Sequence, residues 1–169
     1  MAVSLQKVRF LVVDDNIHMV HLVKAILKGF GAAYVFEATS PTEAFHALRH
    51  DAIDIIVVDY IMGDEDGVGL VRKIRRDEQS PAPYIPIIML TAHSEQRRVE
   101  AARDAGVNEF CAKPVTPAEL LKKIASVIDY PRPFVRNDAY FGPERRRHHD
   151  PNYTGPERRA PRDDEPPKV

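Results

Sequence analysis

Asp14 and Asp15 follow the apolar run RFLVV, Asp59 closes DIIVVD, Thr91 closes PIIMLT, and Lys113-Pro114 follows NEFCA. Carboxylates gathered in one place repel one another, and a divalent cation is the natural way to keep them charged together. An all-oxygen ligand set suits Mg²⁺, which retains waters and seeks phosphate oxygens. Lys113 adds a mobile positive point charge for a phosphoryl group, and Thr91 adds a hydroxyl for another of its oxygens. Together these parts describe phosphoryl transfer onto a carboxylate, catalysed mainly by positioning and charge neutralisation. Any single Asp after a strand is by default a helix cap, and Asp15 could cap the first helix. The functional reading rests on the whole set recurring at successive strand ends.

The elements that must position these residues alternate along the chain. Short Val/Ile-rich runs at 9–13, 33–38, 54–59, 86–91 and 108–112 predict strands, and their nearly continuous apolarity predicts burial on both faces of a parallel sheet. Between them lie helical patterns. The segment NIHMVHLVKAILKGFG places Ile17, Val20, Leu22 or Val23, Ile26 and Leu27 on one stripe and closes with Gly29 and Gly31. In SPTEAFHALRH, Ser40 is the expected cap, Pro41 the first helical residue and Glu43 the capping-box partner. Thr116-Pro117 begins the last helix in the same way. Five such β-then-α units predict an α/β fold, a doubly wound five-stranded parallel (βα)5 sheet. Its functional site is expected at the carboxyl ends of the strands.

The chain has 169 residues and 44% apolar composition, enough for one ordinary domain with a core and an appendage. The net charge of −1 is unevenly spread. Residues 130–169 hold eight Arg and one Lys against seven acidic residues, and eight of the 14 prolines. That composition predicts a domain over 1–129 followed by a Pro/Arg-rich tail over 130–169, disordered until a ligand binds. Cys111 is the single cysteine, so no intramolecular disulfide can form. No stretch reads as a signal peptide or a bilayer span. A reducing, cytoplasmic setting is the expectation. No nucleic-acid-binding motif appears. His18, His21 and His46 read as helix-surface residues and Cys111 as packing.

FLVVDDN, VVDYIMGDEDG, IMLTAHS and FCAKPV resemble the receiver domain of bacterial two-component response regulators, the CheY-like family. The resemblance spans about residues 7–129. It implies the flavodoxin/CheY-like strand order 2-1-3-4-5, a signalling rather than enzymatic protein, and Asp59 as phospho-acceptor. It further implies Mg²⁺ held by Asp15, Asp59 and the backbone carbonyl of Ile61, with Asp14 acting through water. Thr91 takes the switch-hydroxyl place and Phe110 the aromatic switch place, and Lys113–Pro114 is expected to be cis. The implied donor is a histidine kinase or phosphotransfer protein. Two positions depart from the family pattern. Gly63 replaces a usual proline in the loop after the acceptor, which loosens it and could alter the lifetime of the phosphorylated form. Val115 replaces a common phenylalanine.

The tail repeats Tyr-x-Gly-Pro-Glu-Arg-Arg, beginning at Tyr140 and again at Tyr153. Its cations are nearly all arginine, the residue that stacks on planes and forms bidentate hydrogen bonds. Arginine grips the O6/N7 edge of guanine as well as phosphate, and arginine or tyrosine stacks on a purine. A ligand with two guanines and two phosphates matches a duplicated unit, and cyclic di-GMP is such a molecule. The segment RPFVR, Arg132 to Arg136, matches the R-x-x-x-R pattern of PilZ-type receptors. The candidate contacts are therefore Arg132, Arg136, Tyr140, Arg145, Arg146, Arg147, Tyr153, Arg158 and Arg159. A receiver followed by G-P-[DE]-R-R resembles the Cle group of CheY-like proteins. That resemblance implies cyclic-di-GMP binding, action on the flagellar motor switch, and recruitment to the flagellar pole. Two alternatives remain: a phosphorelay or docking receiver with a passive tail, and binding to a nucleic acid or another anionic surface. The interspersed acids weaken the latter.

Overall fold

The computed structural model describes residues 4–92 and 96–145. Five parallel strands form one sheet: β1 (Arg9–Val13), β2 (Tyr34–Ala38), β3 (Ile55–Asp59), β6 (Ile87–Thr91) and β7 (Glu109–Ala112). Two further two-residue strands, β4 (Ile61–Met62) and β5 (Glu65–Asp66), pair with each other in the loop after β3. The large sheet runs β2-β1-β3-β6-β7, which is the expected 2-1-3-4-5 when only its own strands are counted. The helices are α1 (Ile17–Gly29), α2 (Pro41–His50), α3 (Gly67–Arg76), α4 (Gln96–Ala105) and α5 (Pro117–Asp129).

Strands β3 and β6 are buried at every position, as their unbroken apolarity requires. The edge strand β2 is not: Tyr34 and Glu37 are exposed, because a strand neighbours it on one side only. One core cluster, with Leu11, Val58, Val71, Ile74 and Met89, lies on one side of the sheet. A second, with Phe10, Val12, Val23, Val57, Ile88 and Leu120, lies on the other. Cys111 is fully buried within it, and burial pushes its thiol up.

Local chemistry sets the helix starts. The Asn16 side chain accepts from His18 N–H, Ser40 from Glu43 N–H, Asp66 from Gly69 N–H and Thr116 from Glu119 N–H. In α1 the buried stripe is Val20, Val23 and Leu27, so Val23 rather than Leu22 faces the core, while Ile17 is exposed. The capping box at Ser40 is displaced by one residue. The Glu43 carboxylate accepts from Thr39 N–H and Thr39 Oγ1, not from the cap's own amide.

The expectation of a structureless tail from residue 130 does not hold through residue 145. Strands β8 (Phe134–Arg136) and β9 (Phe141–Pro143) form an antiparallel hairpin. It seats on the end of α3 and the α4–β7 turn, at the amino-terminal ends of β6 and β7. Composition averaged over 40 residues hid a local aromatic cluster: Tyr84, Phe134 and Phe141 meet with ring centroids 5.2–5.7 Å apart. Beneath them lies Arg75, only 1% exposed. It donates to Gly106 O, Pro83 O and Asn108 Oδ1, and its guanidinium sits 4.9 Å from the Phe134 ring centroid. Burial pulls its pKa down to about 9.

Gly142 makes the seat possible. A Cβ there would lie 2.8 Å from Gly106 Cα and 2.5 Å from the Tyr140 hydroxyl. Gly142→Ala is expected to lift the hairpin at a cost of about 1–3 kcal/mol. Hydrogen exchange should then quicken at the Asn137 and Glu144 amides, which bond within the hairpin, while the β3 and β6 amides keep their protection.

Candidate functional site

The parallel sheet delivers the chemistry-bearing residues to one rim, since each lies at or just past the carboxyl end of a strand. Asp14 and Asp15 follow β1, Asp59 ends β3, Thr91 ends β6, and Lys113 follows β7. Ligand oxygens of Asp14, Asp15 and Asp59 lie within 4.8 Å of one another. The Lys113 ammonium is 2.6 Å from Asp59 Oδ1 and 3.9 Å from Asp14 Oδ2. Asp14, Asp59 and Thr91 are buried and Asp15 is exposed, so the cluster opens on one side only.

Backbone contacts hold this rim rigid. Asp14 N–H donates to Ala38 O, Tyr60 N–H to Leu90 O, and Lys113 N–H to Thr91 O at 2.8 Å. The Lys113–Pro114 peptide is cis. Gly67, at the start of α3, comes so close to Asp59 that a Cβ would collide with the Asp59 carbonyl oxygen. Gly63 adopts φ +59°, a conformation that suits glycine and that a proline, with φ near −65°, cannot adopt. The exposed Ile61 sits in β4 beside this loop. Phe110 is half-buried on β7 and packs against the core cluster of Val58 and Met89.

Asp14 carries the electrostatic strain. Burial raises its carboxyl from the ordinary 3.8 to about 6, the Asn16 amide lowers it, and the neighbouring Asp59 raises it further. Its Oδ2 is buried with no hydrogen-bond partner. An orphaned carboxylate oxygen beside two more carboxylates is the donor set of a hard cation such as Mg²⁺. The residues that would hold it are Asp14, Asp15 and Asp59. When bound, such an ion neutralises the carboxylates and the oxygens of an incoming phosphoryl group.

The tail residues divide. Tyr140 is 4% exposed and donates its hydroxyl to Pro143 O. Arg145 stacks 4.0 Å from the Tyr140 ring centroid and pairs with Asp104 at 3.1 Å. Arg132 donates to Asn108 O and Glu144 O. Arg136 is exposed over Phe141. Arg146, Arg147, Tyr153, Arg158 and Arg159 lie outside the described residues. His18, His21 and His46 are exposed. Sequence reasoning passed over Arg75, Tyr84 and Glu109. Arg75 sits in RKIRRDE and looks solvated there. Its burial shows only when the hairpin is in place.

The family model of the response regulator receiver domain matches residues 10–125. The chain belongs to that family: it is a receiver of two-component signalling. Among curated proteins it is similar to chemotaxis protein CheY-3 of Vibrio cholerae, 30% identical over 128 residues, covering 76% of this chain and 97% of that one. It is also similar to CheY1 of Helicobacter pylori, 36% identical over 121 residues, with coverage of 71% and 96%. Among solved structures, CheY4 of Vibrio cholerae superposes with a TM-score of 0.66 at 28% identity, covering 72% of this chain and 98% of that one. The receiver of Ssk1, solved in complex with the Saccharomyces cerevisiae phosphotransfer protein Ypd1, gives 0.65 at 25% identity, with coverage of 75% and 96%. Receiver domains bind Mg²⁺ at such an acidic pocket and engage histidine kinases or phosphotransfer proteins, and those of CheY type are signalling proteins rather than enzymes. No helix among the described residues is long and apolar enough to cross a membrane.

A folded-state pKa above the ordinary value means that charging Asp14 opposes folding. Its contribution is most favourable below pH 4 and is lost as the pH rises through about 6. Asp14→Asn should therefore stabilise the Mg²⁺-free protein at pH 7 by up to about 3 kcal/mol, and by almost nothing near pH 4. Urea denaturation in chelator at the two pH values measures this. An equal gain at both would exclude the buried charge as its cause.

Proposed function

We propose that this chain is a phosphorylatable receiver that takes its phosphoryl group on Asp59. Its arginine-rich C-terminal stretch binds cyclic di-GMP, and the protein acts on the flagellar motor switch to tune motility. The observation that carries the receiver half is the Lys113 ammonium 2.6 Å from Asp59 Oδ1, inside a cluster of three carboxylates. Asp15 and Asp59 bind Mg²⁺ with the Ile61 carbonyl, Asp14 acts through water, and Thr91 and Lys113 contact the phosphoryl oxygens. Phe110, packed between sheet and solvent, reports the change to partners. The donor is a histidine kinase or phosphotransfer protein. The chemotaxis proteins among its relatives support the motor switch as partner, and that partner favours a cytoplasmic protein recruited to the flagellar pole.

Support for the nucleotide comes from the duplicated Tyr-x-Gly-Pro-Glu-Arg-Arg unit and its arginine chemistry. Arg136 is exposed for such a contact. The segment from Arg146 to Arg159 supplies the remaining arginines and Tyr153. A second reading, a phosphorelay or docking receiver with a passive tail, is favoured by one observation. Tyr140, Arg132 and Arg145 of the proposed ligand set are already spent on packing and backbone contacts.

Acetyl phosphate with Mg²⁺ is expected to add one phosphoryl group, detected by intact mass, and to fail on Asp59→Asn. Persistence of the adduct in that variant would remove Asp59 from its role. Calorimetry with cyclic di-GMP should give saturable heat at micromolar protein. Replacing Arg146, Arg147, Arg158 and Arg159 by Ala should weaken binding by about tenfold or more, since hydrogen bonds to charged groups contribute roughly 1.5–3 kcal/mol each. Absence of heat from the unmodified protein would favour the passive tail.

A further inference from the structure

His46 and His50 lie one helical turn apart on the solvent side of α2, with ring centroids 4.2 Å apart and the rings tilted by 40°. We propose that this pair chelates a divalent transition-metal ion of the Zn²⁺, Cu²⁺ or Ni²⁺ class, at a site separate from the acidic rim. The inference uses none of the residues on which the phosphoryl and nucleotide readings rest.

The spacing suits one shared ion. Imidazole nitrogens bind Zn²⁺ at roughly 2.0–2.1 Å, so two of them on one ion are at most about 4.2 Å apart. Histidines at i and i+4 on a helix meet that condition with the backbone undistorted, and such pairs hold zinc on one helix face. Rings already in contact need only small side-chain rotations to aim one nitrogen each at a common centre. Ala47 follows His46, so the glutamate that serves as general base in the zinc-protease version of this spacing is absent, and the pair is a binding site only.

Both rings are free to bind. Each residue is exposed, and neither makes a hydrogen bond or ion pair among the described residues. His21, by contrast, sits 4.0 Å from the Glu37 carboxylate. Glu43, on the same face of α2, is committed to Thr39 and is not counted as a ligand.

The helix beneath the pair is fixed. Ala44, Phe45 and Leu48 are buried in the core, Ser40 caps one end, and Asp51 N–H closes the last turn on Ala47 O at 2.8 Å. A pair mounted on an anchored helix keeps its spacing before the ion arrives, so little ordering cost remains on binding.

Charge favours the place as well. His50 is the last residue of α2, and the carbonyl end of a helix attracts a cation. Arg49 beside it is turned onto the Phe45 ring, 5.0 Å from the centroid. The exposed Asp51 follows directly and adds a negative charge. Donor chemistry then separates this site from the rim, because imidazole suits Zn²⁺, Cu²⁺ and Ni²⁺ whereas Mg²⁺ takes oxygen. Two imidazoles leave two positions of a tetrahedral ion open to water or to a donor from another molecule.

The test is calorimetry of the full chain with Zn²⁺ in millimolar Mg²⁺, which occupies the rim, on the unmodified protein and on His46→Ala, His50→Ala and His21→Ala. Alanine is the best helix former and the replaced side chains are exposed, so the variants keep their fold, which circular dichroism verifies. The expected result is a saturable Zn²⁺ site at micromolar concentration. Either His46→Ala or His50→Ala should weaken it about a hundredfold, the advantage of two linked donors over one, and His21→Ala should leave it unchanged. Zn²⁺ should also raise the melting temperature of the unmodified protein and of His21→Ala, but not of the other two variants. Absence of saturable binding, binding that survives either His46→Ala or His50→Ala, or an equal loss in His21→Ala overturns the proposal.

Discussion

The Lys113 ammonium, 2.6 Å from Asp59 and 3.9 Å from Asp14, is the contact on which the receiver half depends. Three carboxylates at one rim are mutually repulsive, and two of them are buried. One cation from the last strand of the sheet offsets part of that cost; the rest appears in Asp14, whose carboxyl is held up at about 6. The sheet order places β1, β3, β6 and β7 side by side, and parallel direction brings all their carboxyl ends to the same edge. The backbone then holds each group: Lys113 N–H on Thr91 O, Tyr60 N–H on Leu90 O, and Gly67 against the Asp59 carbonyl. A rim held in this way has its carboxylates and ammonium in place before any ligand arrives.

A second constraint governs the opposite end of the sheet. Arg75 is buried with three acceptors from the backbone and Asn108, and without a carboxylate among them. The hairpin closes over it, trading solvent for the Phe134 ring. The first Tyr-x-Gly-Pro-Glu-Arg unit is consumed in this closure. Tyr140 bonds Pro143, Gly142 allows contact with Gly106, and Arg145 bridges Tyr140 and Asp104. The same residue types recur from Tyr153, where Thr154 replaces Phe141 and so lacks the ring that joins the aromatic cluster. The first copy is therefore architectural, closing the hairpin over Arg75.

Much of this was legible in the residues. The five strands, their parallel sheet and the site at their ends follow from short β-branched runs ending in Asp, Asp, Thr and Lys, because buried parallel strands cannot hide their apolarity. Two helix starts followed from Ser40 and Thr116, whose side chains satisfy local amides, whereas the cap of α1 is Asn16 and not the neighbouring Asp15. Failures came where a residue's role depends on distant neighbours. Leu22 and Val23 are equally apolar, and only the sheet beneath α1 selects Val23. Arg75 looks like any surface arginine until a segment some 60 residues later covers it. The tail's mean composition argued for disorder, yet three aromatic residues, Phe134, Tyr140 and Phe141, were enough to dock a short hairpin on an existing surface.

Periodicity, capping and residue type are local properties, so the linear chain already specifies the alternation of elements and the acidic, hydroxyl and ammonium groups at their ends. Burial, pKa and distance are not local. That Asp14 strains near pKa 6, that Lys113 reaches Asp59 rather than solvent, and that Arg145 is a strut rather than a free hand all depend on groups remote in sequence meeting at low dielectric. The cleft lined by Tyr84, Glu109, Ser126 and Tyr130 belongs to the same category, because its walls come from four separate stretches of chain that only folding brings together.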